Sequence, residues 1–240
     1  ECKVTENAIE CDEQKFSLND AVKVQNFNVS INTSVIELQG TDFSFIDPDF
    51  TVSSGSVELC GFVSNYSQII VEGGNVSVCD YNGINDNGTL QINVTNFTLT
   101  SKSYILGVGT GFRGGAAGAN NGEGSGGGCG SGGGNGAGAG YAGFGGFGDS
   151  GGCATLGQPY GSTNNVSARG SGGGGGVSGG GGDGGPFIFI NASDTISLTG
   201  IIRAQGANSQ DANNGGGAGS GGSVWLIANT LNGTGTINVR

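Results

Sequence analysis

The sequence predicts an all-β protein: a parallel β-helix or related solenoid with an ordered glycine-rich insertion, preceded by a β-rich glycosylated N-terminal region. Three observations over its 240 residues predict this. Apolar and polar residues alternate with period two in almost every segment that is not glycine-rich, the pattern of a half-buried strand. No stretch has a helical 3.6-residue period. Units of about 17–20 residues recur once the glycine runs are set aside, too short to bury their own apolar face without stacking on a neighbour.

Residues 1–106 form the first region. They hold 7 of the 55 glycines and 14 of the 19 acids. Val22 and Val24, then Phe27, Val29 and Ile31, then Val57 and Leu59, then Val76 and Val78 mark its strands by alternation. Glu72-Gly73-Gly74-Asn75 and Asn85-Asp86-Asn87-Gly88 supply turns.

Residues 107–185 are the glycine-rich block, with 38 glycines in 79 positions. Glycine at this density usually makes a flexible linker. Close packing of extended, polyproline-II-like segments would order it instead, because backbones lacking Cβ can approach and hydrogen-bond. Tyr141, Phe144 and Phe147 are the expected apolar anchors. The spacing has no strict three-residue period, which excludes collagen.

Residues 186–240 return to alternation as C-terminal solenoid coils, and 90–106 is expected to pack with them. The repeat aligns 90–109, 187–206 and 224–240. Leu90, Phe187 and Val224 coincide, as do Ile92, Phe189 and Leu226, while the partners of Val94 drift by one residue. Further on, Phe97 and Leu99 match Ile196 and Leu198, and Ile105 matches Ile202 and Ile237. Looser copies occupy 22–40 and 57–78.

Charge and composition exclude several function classes. The formal net charge is -11, which disfavours nucleic acid and anionic lipid as partners. The chain has no histidine, which removes His-dependent nucleophilic catalysis and His-ligated zinc. No apolar run approaches the ~18–20 residues of a membrane helix, so no membrane insertion is expected. No metal or cofactor is expected either. Gly107, Gly109, Gly111 and Gly114 imitate a dinucleotide loop, but glycine continues where a helix should start. Asp80, Asn82, Asn85, Asp86 and Asn87 do not fit a calcium-loop register. Asp42, Asp47 and Asp49 read as solvated loop acids, and Arg113 and Arg203 as donors to carbonyls in glycine turns. The threonine pairs Thr98/Thr100 and Thr234/Thr236 are too few for an ice-binding array.

The compartment is read from two residue sets. N-x-[ST] acceptors stand at Asn28, Asn32, Asn65, Asn75, Asn87, Asn93, Asn96, Asn165, Asn191 and Asn232. These ten exceed the roughly four expected by chance from the motif, and predict a secreted, extracellular glycoprotein carrying N-linked glycans, its signal peptide removed or not included. Six cysteines, Cys2, Cys11, Cys60, Cys79, Cys129 and Cys153, allow 15 connectivities, and short loops favour the sequential pairing. Oxidised pairs fit an exported chain.

A resemblance covers about residues 105–240. ILGVGTGFRGGAAG, GYAGFGGFG, GQPYGSTNNVSARGSGGGGG, ISLTGIIRAQG and GGGAGSGGSVWLIANTLNGTGTINV follow one another in order and spacing. Together they resemble the glycine-rich repeat proteins of protist, plant and bacterial surfaces. The resemblance implies a parallel β-helix with glycine-rich excursions, and no enzymatic residues. The expected function is structural: a subunit of an extracellular fibril or surface coat, not an enzyme, its partner another copy joined head to tail through terminal strands. An adhesin or polysaccharide-binding module is the alternative, favoured if aromatics line one strand face. A polysaccharide-active enzyme is the third reading.

Overall fold

The structure is a computed structural model describing residues 49–240 apart from 84–86, 150–154, 163–165 and 211–214, and, before residue 49, the courses of five short strands. Of Asn65 only the backbone is described. Among the described residues the protein is all strand, turn and extended chain, and its sheets of three or more strands are parallel. β1 (Cys2–Val4) and β2 (Ile9–Cys11) form an antiparallel hairpin that sets Cys2 opposite Cys11. Directly opposed residues lie about 4.5–5.5 Å apart, the separation a bridge needs.

Two parallel sheets follow, and the chain visits them in turn. One contains β3 (Phe16–Leu18), β5 (Ile36–Leu38), β7 (Ser56–Leu59), β9 (Asn75–Val78), β11 (Tyr104–Leu106), β13 (Ile201–Arg203) and β16 (Thr236–Asn238). The other contains β4 (Val29–Ile31), β6 (Asp49–Val52), β8 (Gly61–Val71), β10 (Thr89–Leu99), β12 (Phe187–Leu198), β14 (Ser223–Ile227) and β15 (Thr230–Asn232). Successive strands of each sheet pair side by side, except that β14 and β15 both lie against β12, so equivalent residues stack into ladders. In the first sheet one ladder runs Phe16, Ile36, Val57, Val76, Ile105, Ile202, Ile237. In the second, Val29, Phe50, Ile69, Phe97, Ile196 and Leu231 align.

Alternation explains why these residues form strands. β6, β7 and β9 bury every second side chain, and both sheets send theirs into a single core. Burying one Val, Leu, Ile or Phe stabilises by about 1.5–3 kcal/mol. The turns between sheets also stack: Glu72 donates to the Val52 carbonyl at 2.8 Å and Thr100 to that of Val71 at 3.0 Å. Gly55 and Gly73 close two of these turns with φ of 72° and 80°, which L side chains rarely adopt.

The repeat alignment holds at most positions and fails at two. Leu90, Ile188 and Val224 are partners, as are Ile92, Ile190 and Leu226. The expected Phe187 and Phe189 are one residue out of register: Phe187 pairs Thr89, and Phe189 pairs Gln91 and Trp225. A one-residue slip reverses which face a side chain takes, so Ile188 and Ile190 belong to the core and the two phenylalanines to the opposite face, where Phe189 is half-buried and Phe187 is itself covered. The irregularity expected at Val94 is present as a bulge between Val94 and Asn96.

The glycine-rich block is a hydrogen-bonded bundle. Its centre is 170–176, a segment buried at every residue. Gly170 and Gly173 donate to Gly185 and Gly182 and accept from Phe112 and Gly115. Gly174, one residue on, donates to Ala137 and accepts from Gly217, while Ser171 accepts from Ser220. Gly172 and Gly175 donate to Glu123 and Asn120 and accept from Gly128 and Ser131. The partners therefore recur every third residue, the period of a polyproline-II helix, and six neighbouring segments surround the central one. A Cβ on Gly174 would lie 2.0 Å from the Cys129 carbonyl oxygen, so close approach of backbones is what requires glycine here.

Aromatic residues clasp the bundle to the sheets. The Arg169 guanidinium lies 4.9 Å from the Tyr81 ring centre and 5.5 Å from that of Phe112. Tyr141 and Tyr160 meet edge to face at 5.0 Å and donate their hydroxyls to the Ala168 and Arg169 carbonyls. Burial holds the Tyr160 hydroxyl at a pKa of about 12, so it stays a donor. Phe144 and Phe147, expected as anchors, are instead 66% and 81% exposed. Their segment runs along the outside of the bundle, and a three-residue period carries both rings outward.

Candidate functional site

The uncovered end of the two sheets is the first candidate. β14, β15 and β16 form the last turn, and among the described residues no strand pairs with their outer edges. The ladders nevertheless continue into them. Ile196 and Ile202 are fully buried, yet the next residues in their ladders, Leu231 and Ile237, are 60% and 42% exposed. The core cross-section is open there, beside an unpaired strand edge that can template further pairing.

The second candidate is the outer face of the β8–β10–β12–β14 sheet. Phe62, Gln91, Phe189 and Trp225 form one row across four neighbouring strands. Phe189 lies 5.3 Å from Trp225 and 6.3 Å from Phe187, centre to centre. The next row holds Asn93, Asn191 and Ile227. No residue in either row is charged.

Several glycan acceptors fall on this fold. Asn93 and Asn191 are register partners, and each lies between buried neighbours: Ile92 and Val94, Ile190 and Ala192. Alternation therefore turns both outward. Asn96 is half-buried on β10, Asn75 half-buried at the start of β9, Asn87 half-buried in the turn before β10, and Asn232 exposed on β15. Asn65 lies on β8. Asn28, Asn32 and Asn165 lie outside the described residues.

The cysteines divide similarly. Cys60 and Cys79 are bridged across 5.5 Å between Cα atoms. Leu59 and Val78, the residues before them, are register partners, so one repeat of chain sets the cysteines side by side. Closing a loop of this size stabilises by roughly 3 kcal/mol. Cys129 is also disulfide-bonded; its expected partner Cys153 lies outside the described residues.

Residues weighed for other chemistry are dispersed. Arg113 donates from Nε to the Tyr81 carbonyl at 3.3 Å. Arg203, expected on a carbonyl, instead stacks its guanidinium 5.6 Å from the Tyr104 ring centre. Gly107 and Gly109 donate to the Arg203 and Gln205 carbonyls and Gly111 to that of Gly184, and no helix follows them. Asp80 is held above the ordinary carboxylate range by partial burial and then by the nearby Asp183 charge. Asp183 is engaged by the Gly114 N–H at 2.6 Å. Asn85 and Asp86, like Asp42 and Asp47, lie outside the described residues. Among the described residues no cluster of three or more Cys, Asp or Glu could hold a metal ion, and no helix is long and apolar enough to cross a membrane.

The sequence repeat does not show the outer aromatic row, because its apolar pattern places Phe187 and Phe189 one residue out of register. The signal was present: four apolar residues in succession, 187–190, cannot all face one core, and two of them must face out. No family model matches the chain, and no curated protein or solved structure matches it.

Proposed function

We propose that the chain is a structural subunit of an extracellular fibril or surface coat: a glycosylated parallel β-solenoid whose copies join head to tail. The solenoid reading is supported by strand order, since each sheet adds one strand per turn and equivalent residues stack. The observation that carries assembly is the exposure of Leu231 and Ile237, whose ladder partners Ile196 and Ile202 are fully buried. At the opposite edges stand Phe16 and Val29, the first residues of the same two ladders. A copy placed at the Phe16 edge would continue that ladder by strand addition, while β2 of the hairpin already lies beside β4. Such a contact is heterologous, so it propagates unless a rotation closes a ring. The surface-protein resemblance of 105–240 and the compartment suggested by disulfides and sequons point the same way.

Sedimentation and electron microscopy of the secreted protein test this reading. Filaments are expected from the natural chain and monomers from a Leu231→Asp/Ile237→Asp variant. A monomeric natural chain at high concentration overturns it.

One observation favours a second reading, a neutral-polysaccharide-binding module: the row of Phe62, Phe189 and Trp225 on an uncharged face. Binding of neutral oligosaccharides by the protein as secreted, lost in Trp225→Ala, would support it.

A further inference from the structure

We propose that the row of Phe189 and Trp225 is the seat of the protein's own N-linked glycan on Asn191, so that the first sugars lie on the sheet and close its aromatic face. The inference rests on the reading of the chain as a glycoprotein.

Phe189 and Asn191 are two residues apart on β12 and share its outer face, about 6.5–7 Å apart along the strand. Trp225 is the register partner of Phe189, with its ring 5.3 Å away. A sugar bonded to Asn191 Nδ2 therefore emerges beside two aromatic rings. A pyranose ring has an apolar face of C–H bonds and a rim of hydroxyls. The C–H face suits the negative face of an aromatic ring, and the rim suits amides such as Gln91, which separates Phe189 from Phe62 in the row.

Charge and attachment favour this occupant over a free glycan. The two rows are uncharged on a chain of net charge -11, so a neutral sugar meets no repulsion there. A tethered group also reaches an effective concentration in the mM range for a short linker. Asn93 is the neighbouring acceptor, but its Oδ1 is shut off from solvent and without a hydrogen-bond partner. Strands stand about 4.7–4.9 Å apart, so two glycans cannot both fan out from these neighbours. Asn191 is the one with an aromatic two residues before it on the same face. Covering the row also removes an apolar patch that includes Phe62 and Ile227, 42% and 41% exposed, leaving strand edges as the route of association.

Trp225 is the only tryptophan, so its fluorescence reports on this site alone. The test uses the protein secreted from a glycosylating host, with glycopeptide mass spectrometry at Asn191. Expected results are an occupied Asn191 and a red shift with stronger acrylamide quenching of Trp225 when the glycan is trimmed enzymatically from the folded protein. Trimming should lower Tm by about 2–4 °C, and this loss should vanish in a Phe189→Leu background, as a coupled pair requires. Trimming the natural chain needs no folding of a variant. Absence of glycopeptides at every acceptor overturns both the glycoprotein reading and this inference. An occupied Asn191 whose trimming leaves Trp225 unchanged overturns the inference alone. So does binding of a free neutral oligosaccharide at Trp225 by the untrimmed protein, because the face would then be open.

Discussion

Phe97, Ile105 and Ile196 are buried by other side chains. Residues 170–176 are buried as completely, yet Ser171 carries their only side chain. Between the sheets, stability comes from apolar area removed from water, and the backbone bonds run along ladders beside it. In the glycine block the backbone itself is the core. An N–H···O bond adds about 0.5–1.5 kcal/mol net and a Cα–H···O contact about 0.5–1 kcal/mol. Ordering a residue costs roughly 1–2 kcal/mol, more for glycine. These terms nearly cancel, so the bundle holds only when all its segments are present and clasped at the rim. The sheet core tolerates local loss; the glycine core rests on every neighbour at once.

Substitution at the centre of each region separates the two modes most strongly. Gly174→Ala should be the most damaging single change, exceeding the ~1–3 kcal/mol typical of overpacking, because the new methyl meets the Cys129 carbonyl, which is itself fixed. Chemical denaturation should show early loss of the block, and hydrogen exchange should show the 112–140 and 170–185 amides losing protection together. A loss confined to residue 174 and its contacts would erase the distinction. Ile105→Ala should cost about 2–5 kcal/mol and leave the glycine amides protected below the global transition.

Smaller changes sharpen the contrast. Gly146 lies on the outside of the bundle, its φ is not positive, and a Cβ there meets nothing within 4 Å. Gly146→Ala should therefore stabilise by about 0.4–1 kcal/mol, seen as a raised Tm; destabilisation would mean that this outer segment also needs its close approach.

The smallest effect is expected where block and sheets meet, at Asp80. Its folded pKa lies above the ordinary aspartate value, so the folded state binds the proton more tightly than the unfolded state. Stability is then lost as pH rises from the ordinary value through the raised one. Asp80 is only partly withdrawn from water and keeps much of its side chain in solvent, so screening keeps this loss small. Asp80→Asn should raise Tm slightly above that window and leave it unchanged below. An equal effect at both ends of the pH range would mean that charge is not the cause.

Much of the sheet region was legible. Alternation marked the strands around Val57, Val76 and Leu90, and the repeat correctly matched Ile105 with Ile202 and Ile237, which are register partners in one ladder. At 187–190 four apolar residues leave two choices, and the sequence pattern alone took the wrong one. Tyr141, an expected anchor, packs on Tyr160. Phe144 and Phe147, of the same apparent kind, do not, because nothing in the glycine pattern distinguishes the inside of the bundle from the outside.

The sequence by itself determined the all-strand character, placed Cys60 and Cys79 one repeat apart, and left the chain without histidine. These follow from local periodicity, spacing and composition, which no neighbour can change. Only the tertiary structure decided the register of β12, the three-residue bonding period of 170–176, and which glycines touch a carbonyl and which touch nothing. Strand register is settled by ladder bonds to β10 and β14 together. A residue without a side chain has no pattern to read, so its role exists only in the neighbours that close around it.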